Sequence, residues 1–562
     1  MAKTDRRGTG SRRVSPLAAG VVVAAIAALA LTLTARQPAA PVPAPQAIRA
    51  ALQTPHVAQM LAGSRWNRAV AGMIDPNLEQ VNFYRGGKLL VTVALRAGRT
   101  ETQATSYRQT VVPYGDWVAY QPPVLAALSV LFLLMAGVSP WRRVRNLDVA
   151  AALSLVTSAV LFQRRYIDAS VLAAVPGMTY LLVRCAVKAL GPARDPAPST
   201  PLLVLITPGL DPARRVRWLR AAFVVLALVF LMVGVSSFGP VDVIYAVMEG
   251  ATNLVHGVLP YGHMPPGIIH SDTYPILSYL LYTPIALVAP VANAWGSVDA
   301  GLGVAVLAAV VSAWAVFRIT VGGGPRPRAP MPVEIEEAGL RAAVAWLAFP
   351  PLLITVSTGT TDVVLAAMLL VAVLLWRRPA ACSAMLALAA WFKLGPVALL
   401  PVCVAPLRGR RLVGALAAIA LVSLPLIGVL VALGGIDGIP DMVHAVAYQF
   451  TRGSIQSVWG ALGDSTLQRF AQGAMLGLIA AAVVKLRREP QLARDRPRMA
   501  ALSAAILIGL QLAAEYWAFL YLVWIVPLAG VALLADARAA AKPDAALAVP
   551  IGAPEPASAL PA

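Results

Sequence analysis

The stretch from Val241 to Pro275, VDVIYAVMEGATNLVHGVLPYGHMPPGIIHSDTYP, concentrates the chemistry of this chain. It holds three of the five histidines and three carboxylates. Read as a helix from Val241 to His256, it places Asp242, Tyr245, Glu249, Asn253 and His256 within an arc of about 80°, at about 3.6 residues per turn, with Val243, Val247 and Leu254 opposite. That is an amphipathic helix for a membrane surface, its polar stripe facing water or a cavity. A stripe that merely faces water has the same pattern. Two features favour chemistry. The turns LPYG and MPPG fix a rigid loop after the helix. Asp242 directly follows a strongly apolar run, where partial desolvation makes a carboxylate a stronger general base. His263, His270 and Asp272 share no ligand spacing on one element, so no metal site is expected.

A second polar stretch runs from Gly434 to Asp464 and carries Asp437, Asp441, His444, Gln449, Arg452, Ser454, Ser457 and Trp459. Arg452, isolated among hydroxyls, suits a phosphate; pairing with Asp441 or Asp464 is the structural alternative. Lys393, in WFKLGPVALLP, is a cation inside apolar sequence and therefore a functional candidate, with snorkelling to an interface as the alternative. Glu515, Tyr516, Trp517, Tyr521 and Trp524 read as an outer belt whose aromatic rings are anchors. There is no Walker A sequence, GxSxG or HExxH, and the outer loops hold no DxD pair, so neither cofactor nor nucleotide site is expected.

These residues must be positioned by lipid-facing helices. The chain has 562 residues, is 59% hydrophobic and only 13% charged, against about 25% charged in soluble domains. Apolar runs of roughly 18 residues recur, each able to cross a ~30 Å hydrocarbon core. The expected fold is an all-α polytopic membrane protein of about 13–15 transmembrane helices. The net charge of +20 comes from arginine clusters beside those runs, the positive-inside pattern of cytoplasmic loops rather than a nucleic-acid surface. Cys185, Cys382 and Cys403 all lie in apolar runs and read as packing residues.

Five segments are expected. Residues 1–35 form a basic cytoplasmic tail and signal anchor, with a cleaved signal peptide as the alternative. Residues 36–120 form a small extracytoplasmic α/β domain, in which EQVNFYRGGKLLVTVAL is a β-hairpin around Gly86-Gly87. Residues 121–217 are accessory transmembrane helices and a cytoplasmic loop, 218–535 the main transmembrane module, and 536–562 a disordered Ala/Pro-rich tail. CSAMLALAAWFKLGPVALLPVCV is either one proline-kinked span or two half-spans meeting near Lys393.

The module 218–535 resembles the GT-C superfamily of membrane glycosyltransferases, and within it the actinobacterial polyprenyl-phosphate-mannose-dependent α-mannosyltransferases. The resemblance rests on VDVIY after a span, GVLPYG, YPILSYLLYTPIALVAP, AWFKLGPVALLP, YQFTRGSIQSVWG and YWAFLYLVWIVPLAG, in that order. Departures are Tyr274-Pro275-Ile276, where two prolines are usual, and STGTTD in place of a Gly-Gln dipeptide. The resemblance implies a GT-C-like core that performs inverting transfer from a polyprenyl-phosphate sugar, mannose or arabinose, to an envelope lipid or glycan acceptor. The site would face outward from the cytoplasmic membrane, with Asp242 as general base. It implies donor-phosphate contacts from Arg452 and Lys393, and places His444 in a loop closing over the donor. Tyr245, Glu249, Asn253, His256, Tyr274 and Ser457 are the remaining substrate-binding candidates. The alternatives are a transporter or flippase of an envelope precursor, which would need midplane polar groups and an internal repeat, and a non-catalytic scaffold that binds a lipid-linked sugar.

Overall fold

The computed structural model describes residues 44–63, 65–75, 78–96, 105–106, 118–192, 199–235, 241–265, 271–291, 298–322, 331–451, 457–462 and 465–534. The expected first span and the terminal tails lie outside the described residues.

The N-terminal insert opens with helices α1 (Ala44–Leu52) and α2 (Pro55–Leu61) and continues into an antiparallel sheet, β1 (Arg68–Asp75), β2 (Leu78–Arg85), β3 (Lys88–Arg96) and β4 (Thr105–Ser106), in sequential order. β2 and β3 form the hairpin that the alternation foretells. Its turn needs Gly86 and Gly87, at φ 55° and 80°, a region L-residues avoid. Val81, Phe83, Val91 and Val93 pack against Ala47, Ala51, Val57 and Leu61. Val81, Asn82, Phe83 and Tyr84 are all buried, so both faces of β2 are covered, and a register shift that leaves Leu90 of β3 unpaired sets Leu89 opposite Tyr84. Tyr84 and Leu89 thereby pack on Ile167, and Leu89 N donates to Arg165 O at 3.1 Å. The insert is thus seated on the turn between α4 (Val144–Gln163) and α5 (Ile167–Leu190).

Apart from the short pairing of Val138–Ser139 with Thr200–Pro201, the elements of the remaining described residues are helices. After α3 (Pro122–Ala136), α4 and α5 come α6 (Pro212–Val235), α7 (Asp242–Val255), α8 (Asp299–Thr320), α9 (Val333–Leu347), α10 (Pro350–Ser357), α11 (Asp362–Leu374) and α12 (Pro379–Phe392). There follow α13 (Leu400–Val404), α14 (Gly409–Gly434), α15 (Gly438–Thr451), α16 (Ser465–Arg488), α17 (Arg496–Ala513) and α18 (Leu522–Ala529). One apolar core joins the accessory helices to the later ones, with Leu155 and Met178 continuous with Ala309, Leu353 and Ile506.

Among the described residues, six helices are long and apolar enough to cross a membrane, and α9 with α10 makes a seventh bent by 54°. Five shorter apolar helices accompany them. The apolar runs are therefore mostly helical, but several are half-length. The apolar run over 273–291 forms only two short turns, Leu277–Leu280 and Thr283–Ala286.

The same economy resolves the segment around Lys393. α12 has 14 residues, about 21 Å of rise, too short for a ~30 Å core. It stops at Lys393, whose backbone is extended, and the chain returns through a 3-10 turn, Gly395–Leu399, and α13. Pro396 and Pro401 each remove a helical N–H donor and favour a break here. Cys382 and Cys403 meet across the two limbs at 3.5 Å, both as buried free thiols. Two half-spans meeting at Lys393 is the observed form. Both feet stand on the basic segment 487–494: Arg377 Nε donates to Arg494 O and Arg408 Nη2 to Arg487 O, each at 3.3 Å. Arg377, Arg378 and Arg408 therefore share one face, as the charge rule requires.

Candidate active site

α7 forms where the sequence pattern expects it. Its inner face, Ile244, Val247, Met248, Ala251 and Leu254, is buried, while Asp242 and His256 are exposed and Tyr245, Glu249 and Asn253 half-buried. The helix is held closely on both sides. Gly250 lies against the buried Tyr279 ring, and Val241 N donates to Thr358 O at 3.0 Å. Gly359, at φ 69°, allows Ile244 and Leu302 to close over that turn. Asp242 stands in the first turn, where the positive end of the helix dipole favours a carboxylate. Two turns on, burial raises the pKa of Glu249, and its Oε2 has no hydrogen-bond partner among the described residues.

The chain beyond α7 is organised by tyrosines. Tyr261 Oη donates to Tyr274 O at 3.1 Å, Tyr279 Oη donates to Ser271 O at 2.8 Å, and Gly262 N donates to Asp272 Oδ2 at 2.9 Å. Asp272 thus stabilises a turn. Gln449 on α15 donates to Thr273 Oγ1 at 2.6 Å, which docks the second polar stretch beside the first. Ser278 Oγ donates to Phe392 O at the tip of the half-span hairpin.

At that tip lies a buried charged cluster. Lys393 Nζ meets Asp362 Oδ1 at 2.6 Å, and Trp524 Nε1 donates to the same oxygen at 2.8 Å. The rings of Tyr274, Tyr521 and Trp524 face the ammonium at 5.6, 5.6 and 5.4 Å, a range in which ring quadrupoles attract cations. The hydroxyls of Thr360 and Thr361, beside Asp362, are buried without hydrogen-bond partners among the described residues. Asp362 belongs to the STGTTD turn that also holds α7 through Thr358. The exposed carboxylate of Asp242 and the buried pair are therefore anchored to one short loop.

The expected site residues are distributed as follows. Tyr274 and Lys393 are together. Lys393, expected at a donor phosphate, has Asp362 as its immediate counter-ion. Tyr245, Glu249, Asn253 and His256 share the outer stripe with Asp242. His444 is exposed on α15 and Ser457 is buried. Arg452 lies outside the described residues. The aromatic belt differs from expectation: Trp517 and Trp524 are buried and hydrogen-bonded inside the protein, to Gln511 and Asp362. Asp362 was missed because a single Asp in STGTTD resembles a helix start; the signal was the need of intramembrane Lys393 for a counter-ion. Among the described residues no group of His, Cys, Asp or Glu is arranged to hold a metal.

The fold and the site define a polytopic membrane protein with a polar centre assembled at breaks in its helices. A family model described as glycosyltransferase family 87 matches residues 273–553, half of the chain, and the chain belongs to that family. It is a membrane glycosyltransferase. The match begins at Thr273, so α7 and Asp242 lie outside it. No curated protein matches the chain.

Proposed function

We propose that this glycosyltransferase moves a sugar, mannose or arabinose, from a polyprenyl-phosphate donor to an envelope lipid or glycan acceptor. The reaction is inverting and runs at the outer face of the cytoplasmic membrane. Asp242 takes the proton from the acceptor hydroxyl as its oxygen forms the new bond to the anomeric carbon. The bond from that carbon to the phosphate oxygen breaks, and polyprenyl phosphate leaves. A phosphate leaving group needs little acid assistance, so one carboxylate suffices. Arg452 offsets charge developing on the phosphate, and His444 with Ser457 belongs to the loop over the donor. Tyr245, Asn253 and His256 line the acceptor side, and Tyr274 with Lys393 forms the floor.

The observation that carries this reading is the exposed Asp242 at the start of a helix fastened, through Val241 and Thr358, to the turn bearing the buried Asp362–Lys393 pair. A lipid-linked donor explains why a reaction centre would lie among lipid-facing helices. Orientation follows the charge rule: the arginine-rich face is cytoplasmic, and the insert, linked to the site region by Phe162 against Phe519 at 5.2 Å, lies outside.

The test is transfer of labelled sugar from synthetic polyprenyl-phosphate donors in membranes carrying wild type or Asp242→Asn. Transfer by the wild type alone supports the reading. Equal transfer by both removes Asp242 as base, and donor binding without transfer by either favours a scaffold.

A further inference from the structure

The face opposite the Lys393 cluster carries a second constellation that the transfer reaction does not use. Arg496, the first residue of α17, is 9% exposed. Its Nη1 donates to Gly322 O at 2.8 Å, while its buried Nε has no hydrogen-bond partner among the described residues. Three more guanidinium groups bear on it. Burial, and then Arg377, Arg318 and Arg378, push its pKa down to about 10. A guanidinium keeps its proton at neutral pH, so this environment is a standing electrostatic cost. Arg318 sits in the last turn of α8, where the helix dipole welcomes a cation, whereas Arg377 and Arg378 lie in the turn between α11 and α12, with Arg378 at the N-cap of α12. Arg496 sits at an N-terminal end, where the dipole repels it. The adjacent carboxylate is committed elsewhere: Asp495 accepts from Arg498 N at 3.3 Å and pairs with Arg498 Nε at 3.4 Å.

We propose that the four arginines gathered at the ends of α8, α11 and α17 form a binding site for a phosphate group, presented by an anionic phospholipid headgroup or by a soluble phosphate. Guanidinium forks match phosphate oxygens in pairs, and basic pockets between membrane helices on the cytoplasmic side take anionic headgroups. Arg496 supplies the buried donor, and the exposed Arg377 and Arg378 flank the entrance.

The full-length protein in neutral detergent is titrated with phosphatidylglycerol in mixed micelles, with phosphatidylcholine as the control, and separately with inorganic pyrophosphate. The midpoint of thermal unfolding reports binding by mass action. The expected result is a saturable rise in the midpoint that phosphatidylcholine does not give. Arg496→Gln weakens the apparent affinity at least about tenfold, as does Arg377→Gln with Arg378→Gln at two exposed positions, each variant being read against its own midpoint without lipid. Arg142→Gln, at an exposed arginine outside the cluster, leaves it unchanged. A rise with the lipid alone assigns the headgroup as the source, and a rise with pyrophosphate alone assigns a soluble phosphate. Equal stabilisation of wild type and both cluster variants, or no stabilisation by either probe, overturns the proposal.

Discussion

The Asp362–Lys393 pair offers the sharpest test of how this site is built. Its side chains are 1% and 8% exposed, so neither charge is shared with water. Lys393→Met keeps the length and apolar stem of the side chain and removes only the cation. Breaking a buried pair from one side costs about 3–5 kcal/mol, because it strands the other charge. The Trp524 hydrogen bond to Asp362 survives, which holds the loss to about 3 kcal/mol, the lower end of that range. Asp362→Asn strands the ammonium instead, with three rings still facing it at about 0.5–2 kcal/mol of compensation in total, so its loss is about 2–3 kcal/mol by the same reasoning. The double variant strands nothing, since Asn can still accept from Trp524. Its loss therefore falls below that of either single, short of their sum by about 3 kcal/mol or more, the upper end of the coupling expected of residues in direct contact. Denaturant titration in mixed micelles measures all four proteins. Losses that add within about 0.5 kcal/mol refute the pair as a unit. Kinetics on the double variant then separate the roles of Lys393. If the pair only braces the loop, turnover returns with stability; if Lys393 also meets the donor phosphate, KM for the donor stays raised.

Three further outcomes are expected. Asp242→Asn leaves stability near that of the wild type, because the side chain is exposed, and lowers the turnover rate by about 10²–10⁴, the usual contribution of a general base. Glu249 has a pKa raised by burial above its ordinary 4.5, so the native state binds its proton more tightly than the unfolded chain. Its favourable contribution is complete below about that value and is lost as pH rises through the folded pKa. Glu249→Gln is therefore more stable than wild type above that window and no different at pH 4, as pH-dependent denaturation would show. In Gly250→Ala the new methyl falls on the buried Tyr279 ring; overpacking of this kind costs about 1–3 kcal/mol, and displacement of α7 lowers transfer without altering Asp242.

The sequence made α7, its polar stripe and the β2–β3 hairpin legible, because each rests on a local period. Asp242, Tyr245, Glu249, Asn253 and His256 repeat at helical spacing, and the hairpin alternates around two glycines. Interactions across the fold were not legible. Nothing within WFKLGPVALLP says that Lys393 finds Asp362, 31 residues earlier, or that Trp524 donates to the same oxygen. Trp517 and Trp524 matched an interfacial belt because an aromatic residue near a span end has the same local signature whether it faces lipid or a buried partner. The half-spans were obscure for a related reason. Hydropathy reports that a run is apolar, while crossing depends on where the helix breaks, and Pro396 and Pro401 break this one just past Lys393.

Those breaks explain why the polar centre lies where it does. Within lipid, irregular backbone is tolerated only where protein buries it or where it lines a cavity. This chain brings several irregular segments to one place: the Thr358–Asp362 turn, the extended Lys393 with its 3-10 return, and the residues between α17 and α18 that lead to Tyr521 and Trp524. Each segment exposes polar backbone and side-chain groups, and each supplies a partner to another, Lys393 and Trp524 both to Asp362. α11 and α12 are short for the same reason, since they run from the basic face to this centre and stop. Half-length helices are thus the means by which a lipid-embedded fold presents polar groups below its surface. The two buried threonine hydroxyls beside Asp362 mark where that pairing is still incomplete.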